Sequence, residues 1–123
     1  VVKVTRLVCS HDCGLIVNPD ALTSTIAANL IQSLGRTTKE EVMFDRSRVT
    51  SVDWNSYKVA RASDVPAVVD IVLINRPDLP PGGAGEPSSR ATAAAIGNAV
   101  FDATGVRFRQ IPLTPERVKA GLA

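Results

Sequence analysis

Asn18-Pro19-Asp20-Ala21-Leu22-Thr23-Ser24-Thr25-Ile26-Ala27-Ala28-Asn29-Leu30-Ile31-Gln32-Ser33-Leu34-Gly35 is the stretch from which the fold can be read. Asn18 carries the short side-chain oxygen that caps a helix, and Pro19 suits a first helical position, where no N–H is needed. Leu22, Ile26, Leu30 and Leu34 recur at i, i+4 spacing, so one apolar stripe runs along the helix until Gly35 can end it. Gln32 falls off that stripe and is expected at the surface or at a subunit contact. A helix with one apolar stripe needs a cover, and the flanking segments offer one.

Val1 to Cys9 is β-branched and apolar with Lys3, Thr5 and Arg6 interspersed, which predicts a strand. Asp12-Cys13-Gly14 punctuates it, and Leu15-Ile16-Val17 reads as a short extended piece. Beyond the helix, Lys39 to Phe44 and Arg48 to Val52 predict a hairpin around Asp45-Arg46-Ser47. The stretch through Trp54, Tyr57 and Arg61 is polar and irregular. Val68 to Ile74, broken only by Asp70, predicts a strand buried on both faces for most of its length. Ser88 or Ser89 can cap a second helix with Ala93, Ile96, Val100 and Ala103 on its apolar side and Gly105 as its stop. Val106 to Ile111 predicts a short strand, and Thr114-Pro115-Glu116 opens a last short helix. The order β-α-β-β-β-α-β-α predicts a single α+β (mixed α/β) domain over residues 1–123.

Hydrophobic residues make up 45% and charged residues 21% of the chain, ordinary globular values that argue against disorder. A net charge of +2 with both signs well mixed implies no electrostatic partner, and 4% aromatic content argues against single-strand nucleic-acid binding. Cys9-Ser10-His11-Asp12-Cys13 brings two thiols and the only histidine together. A structural zinc site needs four ligands, and no second Cys/His pair exists, so reduced thiols at a strand end are the expectation. No apolar run is long enough to span a bilayer. A cytoplasmic setting is expected, or a periplasmic one if an export signal precedes this segment. Arg107, Arg109, Arg117 and Lys119 read as a solvated edge.

Pro80-Pro81-Gly82-Gly83-Ala84-Gly85-Glu86-Pro87 places one carboxylate in a stiffened, glycine-rich loop just before a helix. Neither G-x-x-x-x-G-K-[ST] nor G-x-G-x-x-G is completed, and a carboxylate there repels phosphate, so a phosphate cradle is excluded. Two readings stay open. Glu86 either favours the helix dipole in a plain connection, or acts as a general base in a dry, backbone-lined cleft.

Several landmarks, in this order, resemble one family. They are Asp12-Cys13-Gly14-Leu15-Ile16-Val17-Asn18-Pro19, Lys39-Glu40-Glu41-Val42, Pro81-Gly82-Gly83-Ala84-Gly85-Glu86-Pro87, Ala95 through Gly105, and the tail Val106 to Val118. Together they resemble the C-terminal part of the molybdenum-binding subunit of the xanthine oxidase and aldehyde oxidase family of molybdenum hydroxylases. The similarity is greatest to the branch containing isoquinoline 1-oxidoreductase and nicotinate dehydrogenase. The resemblance implies a molybdopterin cofactor, as a cytosine dinucleotide with molybdenum, and hydroxylation of an N-heterocycle or aldehyde carbon with oxygen from water. Glu86 corresponds to the glutamate that takes the proton from a metal-bound hydroxide, and Gly83 and Gly85 to the glycines that give the cofactor backbone access. A family glutamine that reaches toward the cofactor falls, by register from Asn18-Pro19, on Thr25. Implied partners are the remainder of the molybdopterin subunit and an iron–sulfur subunit. The chain alone is expected to lack the cofactor and to be inactive. The alternative is a non-catalytic remnant that self-associates, for example as a homodimer, to cover apolar surface left by missing neighbours.

Overall fold

The computed structural model describes all 123 residues. Strand β1 (Arg6–Asp12) leads into helix α1 (Pro19–Thr38), and strand β2 (Val68–Ile74) returns beside β1. A short helix α2 (Pro87–Arg90), helix α3 (Thr92–Thr104) and helix α4 (Pro115–Leu122) follow. β1 and β2 pair in parallel, with Arg6 opposite Val68 and Asp12 opposite Ile74. A parallel pair needs a crossover, and α1 supplies it.

The start of α1 follows its sequence. Asn18 Oδ1 accepts from the Ala21 N–H at 3.0 Å, and Pro19 fills the first turn. The helix does not stop at Gly35 but runs to Thr38, where the Lys39 N–H bonds back to the Gly35 carbonyl at 2.8 Å. Leu22, Ile26 and Leu30 pack under the sheet against Leu7, Cys9, Val69, Ile71 and Leu73. Leu34 belongs to a second cluster with Ile96, Val100, Leu113 and Val118. One stripe therefore serves two cores, the sheet on its N-terminal half and α3 and α4 on its C-terminal half.

The mixed α+β class is the one expected, but four elements differ from the sequence reading. β1 begins at Arg6 rather than Val1. Continuing the register backwards sets Val4 opposite Pro66, which has no N–H to give the ladder. The predicted hairpin shrinks to one antiparallel bridge, Phe44 with Val49. Its turn is present, since Asp45 Oδ1 accepts from the N–H groups of Ser47 and Arg48 at 2.7 and 2.9 Å. Its arms find no sheet to join, and Phe44 and Val52 stay exposed. Val106 to Ile111 forms no strand either; it is an irregular connection. β2 is covered on one face only: Val69, Ile71 and Leu73 face α1, whereas Val68, Val72 and Ile74 are exposed, as is Val8 on β1.

The chain exposes 8386 Å², about 2,000 Å² more than the roughly 6,300 Å² expected for a monomer of its 13.0 kDa. The alanines at 94, 95 and 99 on α3 are exposed as well. No helix is long and apolar enough to cross a membrane.

Candidate functional site

In open α/β sheets, the loops at the carboxyl ends of parallel strands carry the site. Here those loops are the β1–α1 turn and the long segment after β2, and they are tied to each other. The Leu15 N–H donates to the Leu79 carbonyl at 3.3 Å, the Arg76 N–H to the Gly14 carbonyl at 3.0 Å, and the Gly82 N–H to the Cys13 carbonyl at 2.6 Å. The Ile16 N–H donates to Asn75 Oδ1 at 3.0 Å. Arg76 lies 3.9 Å from Asp12 and 3.2 Å from Asp78, pinning the start of the loop. Gly14 makes this seam possible. Its φ is +77°, and a Cβ there would strike the Pro80 carbonyl. Gly82 is close as well, with a Cβ set to meet the Cys13 carbonyl oxygen at 3.2 Å.

Gly83 and Gly85 differ in kind. Neither has a positive φ, and no atom lies within 4 Å of where a Cβ would stand. Nothing in this chain requires glycine at either position. Glu86 occupies the N-cap of α2 without capping it through its side chain. It is exposed, so these residues alone do not form the dry cleft expected around the acid. Ser89 bonds to the Glu86 carbonyl through both its N–H, at 2.9 Å, and its hydroxyl, at 2.7 Å. Ser88 does not cap the helix; it is buried, and Thr92 Oγ1 donates to its carbonyl at 3.0 Å. Gly105 ends α3 as expected, with φ +74° and its N–H on the Phe101 carbonyl at 2.7 Å.

Thr25 lies on α1, half-buried, and its hydroxyl donates to the Ala21 carbonyl at 2.9 Å. The proton is engaged within the helix, and the oxygen keeps acceptor capacity. One turn further on the same face, Asn29 Nδ2 donates to the Gly85 carbonyl at 2.6 Å and to Ser88 Oγ at 3.1 Å. α1 thus touches the acid-bearing loop directly. The sequence reading passed over Asn29 and Gly82. The i, i+4 relation to Thr25 marked the face that Asn29 shares, but no local signal names a partner so far along the chain. Gln32 is exposed, as expected from its place off the stripe.

The other candidates are dispersed. Cys9 and His11 point from β1 toward α1; burial pushes the Cys9 thiol up, and the buried His11 Nε2 has no hydrogen-bond partner. No three His, Cys, Asp or Glu side chains group so as to hold a metal ion. Of the basic run, Arg117 grips Glu41 in a fork at 2.7 and 2.9 Å, and Arg107 stacks 4.0 Å from the Phe101 ring centre. Trp54 is exposed, while Tyr57 donates its hydroxyl to Glu40 at 3.0 Å. That bond holds the phenol above its ordinary value.

A profile of the molybdopterin cofactor-binding domain matches residues 1–66. One subunit of the nicotinate dehydrogenase of Pseudomonas putida is 47% identical over 121 residues, covering 98% of this chain and 10% of that protein. A putative xanthine dehydrogenase molybdenum-binding subunit of Escherichia coli is 34% identical over 122 residues, covering 95% of this chain and 16% of the relative. Among solved structures, quinoline 2-oxidoreductase from Pseudomonas putida 86 superposes with a TM-score of 0.87 at 27% identity, over 98% of this chain and 16% of that one. The chain therefore spans between a tenth and a sixth of the length of these relatives. With the profile covering more than half of its residues, the chain belongs to the molybdopterin cofactor-binding domain family.

Proposed function

We propose that this chain supplies the catalytic-base loop of a molybdenum hydroxylase, with Glu86 as the base. Gly83 and Gly85 carry the reading: neither backbone strain nor packing within the chain accounts for them. A glycine that its own fold does not need fits a close approach by a group from outside. Beside them stands an exposed acid on a loop anchored at Cys13 and Asn29. The fit to a flat cofactor is good on this side. Gly83 and Gly85 would offer it bare backbone, and the Thr25 hydroxyl oxygen would accept a hydrogen bond from it.

Molybdopterin, as the cytosine dinucleotide with molybdenum, would supply the two-electron oxidising centre and the Lewis acid that activates water. A Glu86 carboxylate oxygen would take the proton of the water-derived oxygen, whose new bond to an electron-poor carbon of an N-heterocycle or aldehyde replaces a C–H bond; the two electrons of that bond would go to the oxidising centre the cofactor supplies. Pro81 and Pro87 limit the loop's freedom, so the acid loses little entropy in holding its place. The surplus surface of about 2,000 Å² exceeds the roughly 800 Å² that one partner buries in a standard complex. It fits a segment clasped by the rest of the molybdopterin subunit, with an iron–sulfur subunit to take the electrons.

The test is molybdenum content and particle mass of the assembly that contains this chain, followed by Glu86→Gln. Stoichiometric molybdenum in a large particle is expected. Glu86→Gln should lower turnover by about 10²- to 10⁴-fold with molybdenum retained. A small metal-free homodimer would favour the self-associating remnant instead, and full activity in Glu86→Gln would remove the acid from the reaction.

A further inference from the structure

We propose that Asn29 is the positioning residue for Glu86, fixing the peptide plane from which the acid projects; this rests on the reading of Glu86 as the base. Ala84 packs against the Leu22, Ile26 and Leu30 cluster, and hydrogen bonds hold the loop on either side of it. At the front, the Gly82 N–H is bonded to the Cys13 carbonyl at 2.6 Å. At the rear, Asn29 Nδ2 reaches the Gly85 carbonyl at 2.6 Å and Ser88 Oγ at 3.1 Å. No other side chain bonds to residues 83 to 85. The Gly85 carbonyl and the Glu86 nitrogen belong to the same planar peptide unit. A donor that fixes this carbonyl therefore fixes the position of the Glu86 Cα, which lies in the same plane, and with it the point from which the side chain projects.

Glycine at 85 makes that restraint necessary. With no Cβ, and no atom within 4 Å of where one would stand, the Gly85–Glu86 plane could swing about the flanking bonds at little steric cost once its carbonyl is released. The carbonyl is an acceptor only, so the amide –NH₂ of Asn29 must face it, and its second proton goes to Ser88 Oγ. Asn29 itself sits in the middle of the most regular helix, with Leu30 beside it in the core. The loop can thus keep bare glycine backbone toward an incoming group while the helix supplies the stiffness that glycine lacks.

The experiment uses the complete polypeptide in the assembly in which it is purified. Asn29→Ala removes the donor and Asn29→Gln keeps one. Amide exchange read by mass spectrometry on the segment 83–90 should accelerate about tenfold in Asn29→Ala, while the α1 and β2 segments stay as in the parent. In the same variant kcat should fall about 10- to 100-fold, the scale of a misplaced catalytic group, with KM changed less than threefold. Asn29→Gln should recover a substantial part of both. Ser88→Ala, which removes only the longer bond, should give a smaller change in the same direction. Unchanged exchange in Asn29→Ala, or unchanged kcat in an enzyme whose Glu86→Gln form is dead, overturns the proposal. An active Glu86→Gln form would instead overturn the base reading and leave the exchange result to stand by itself.

Discussion

Alanine at position 14 must take up φ near +77° and place its Cβ where the Pro80 carbonyl now sits. The left-handed backbone costs an L-residue about 1–2 kcal/mol. The collision adds more, because the 79–82 segment has to lift off the β1–α1 turn. Of the four bonds across that seam, two involve the 79–82 segment, Leu15 N–H to the Leu79 carbonyl and Gly82 N–H to the Cys13 carbonyl. Each contributes about 0.5–1.5 kcal/mol. The sum for Gly14→Ala is about 2–5 kcal/mol, the lower end of which is roughly a thirtyfold change in an opening equilibrium. Amide exchange at Leu15 and Gly82 reads it locally, whatever the rest of the polypeptide does. Gly83→Ala is the control: with an ordinary φ and no atom within 4 Å, it should leave the seam intact and either hold stability or raise it by up to about 1 kcal/mol. Exchange within threefold of the parent in Gly14→Ala would falsify the seam as the anchor of the loop.

Ile26 is fully buried at the centre of the cluster under the sheet. Ile26→Val should cost about 0.5–1.5 kcal/mol and Ile26→Ala about 2–5 kcal/mol, measured by urea midpoints; equal costs would mean that the site collapses around the void. Asp64 accepts from Lys39 Nζ at 2.6 Å and from the Arg61 N–H at 2.8 Å, and these bonds hold its carboxyl below the ordinary value of 3.8. A lowered folded value means that the unfolded chain binds the proton first. The stabilisation is therefore complete above 3.8 and disappears as pH falls through the lower folded value. Asp64→Asn should be less stable than the parent near neutrality and converge with it in acid, which a urea midpoint series over pH would show. A constant gap at all pH values would exclude the ion pair as its source.

The parts of the fold legible in the sequence are those whose signal is local. α1 was readable because Asn18, Pro19 and the Leu22-to-Leu34 stripe all specify the same thing. β2 was readable because six of the seven residues Val68–Ile74 are β-branched or apolar, with only Asp70 breaking the run. The strands expected at 39–52 and 106–111 had similar composition, but strand identity requires a partner edge, and composition does not show whether one is present. The acid was visible for the same reason as the helix: glycine, proline and glutamate crowd one short stretch. What held the acid was not visible. Asn29 is a polar residue off the apolar stripe, and its partners at Gly85 and Ser88 are brought near only by the parallel crossover.

The parallel pairing also sets an order of assembly. β1 and α1 leave the ribosome with the Leu22–Leu34 stripe bare and with the Cys13 carbonyl and Asn29 amide awaiting partners. β2 must arrive, after the whole of residues 39–67, before the sheet can cover Leu22, Ile26 and Leu30, since a parallel partner cannot come from the next turn of chain. Only then can Gly82 and Gly85 find the groups that hold them. The acid is installed after the sheet and α1, on a platform that exists without it. A nascent or nicked polypeptide ending before Gly82 would carry α1, the sheet and both anchoring groups, but would lack the carboxylate and the helices α2 to α4, leaving Leu34 without its cover.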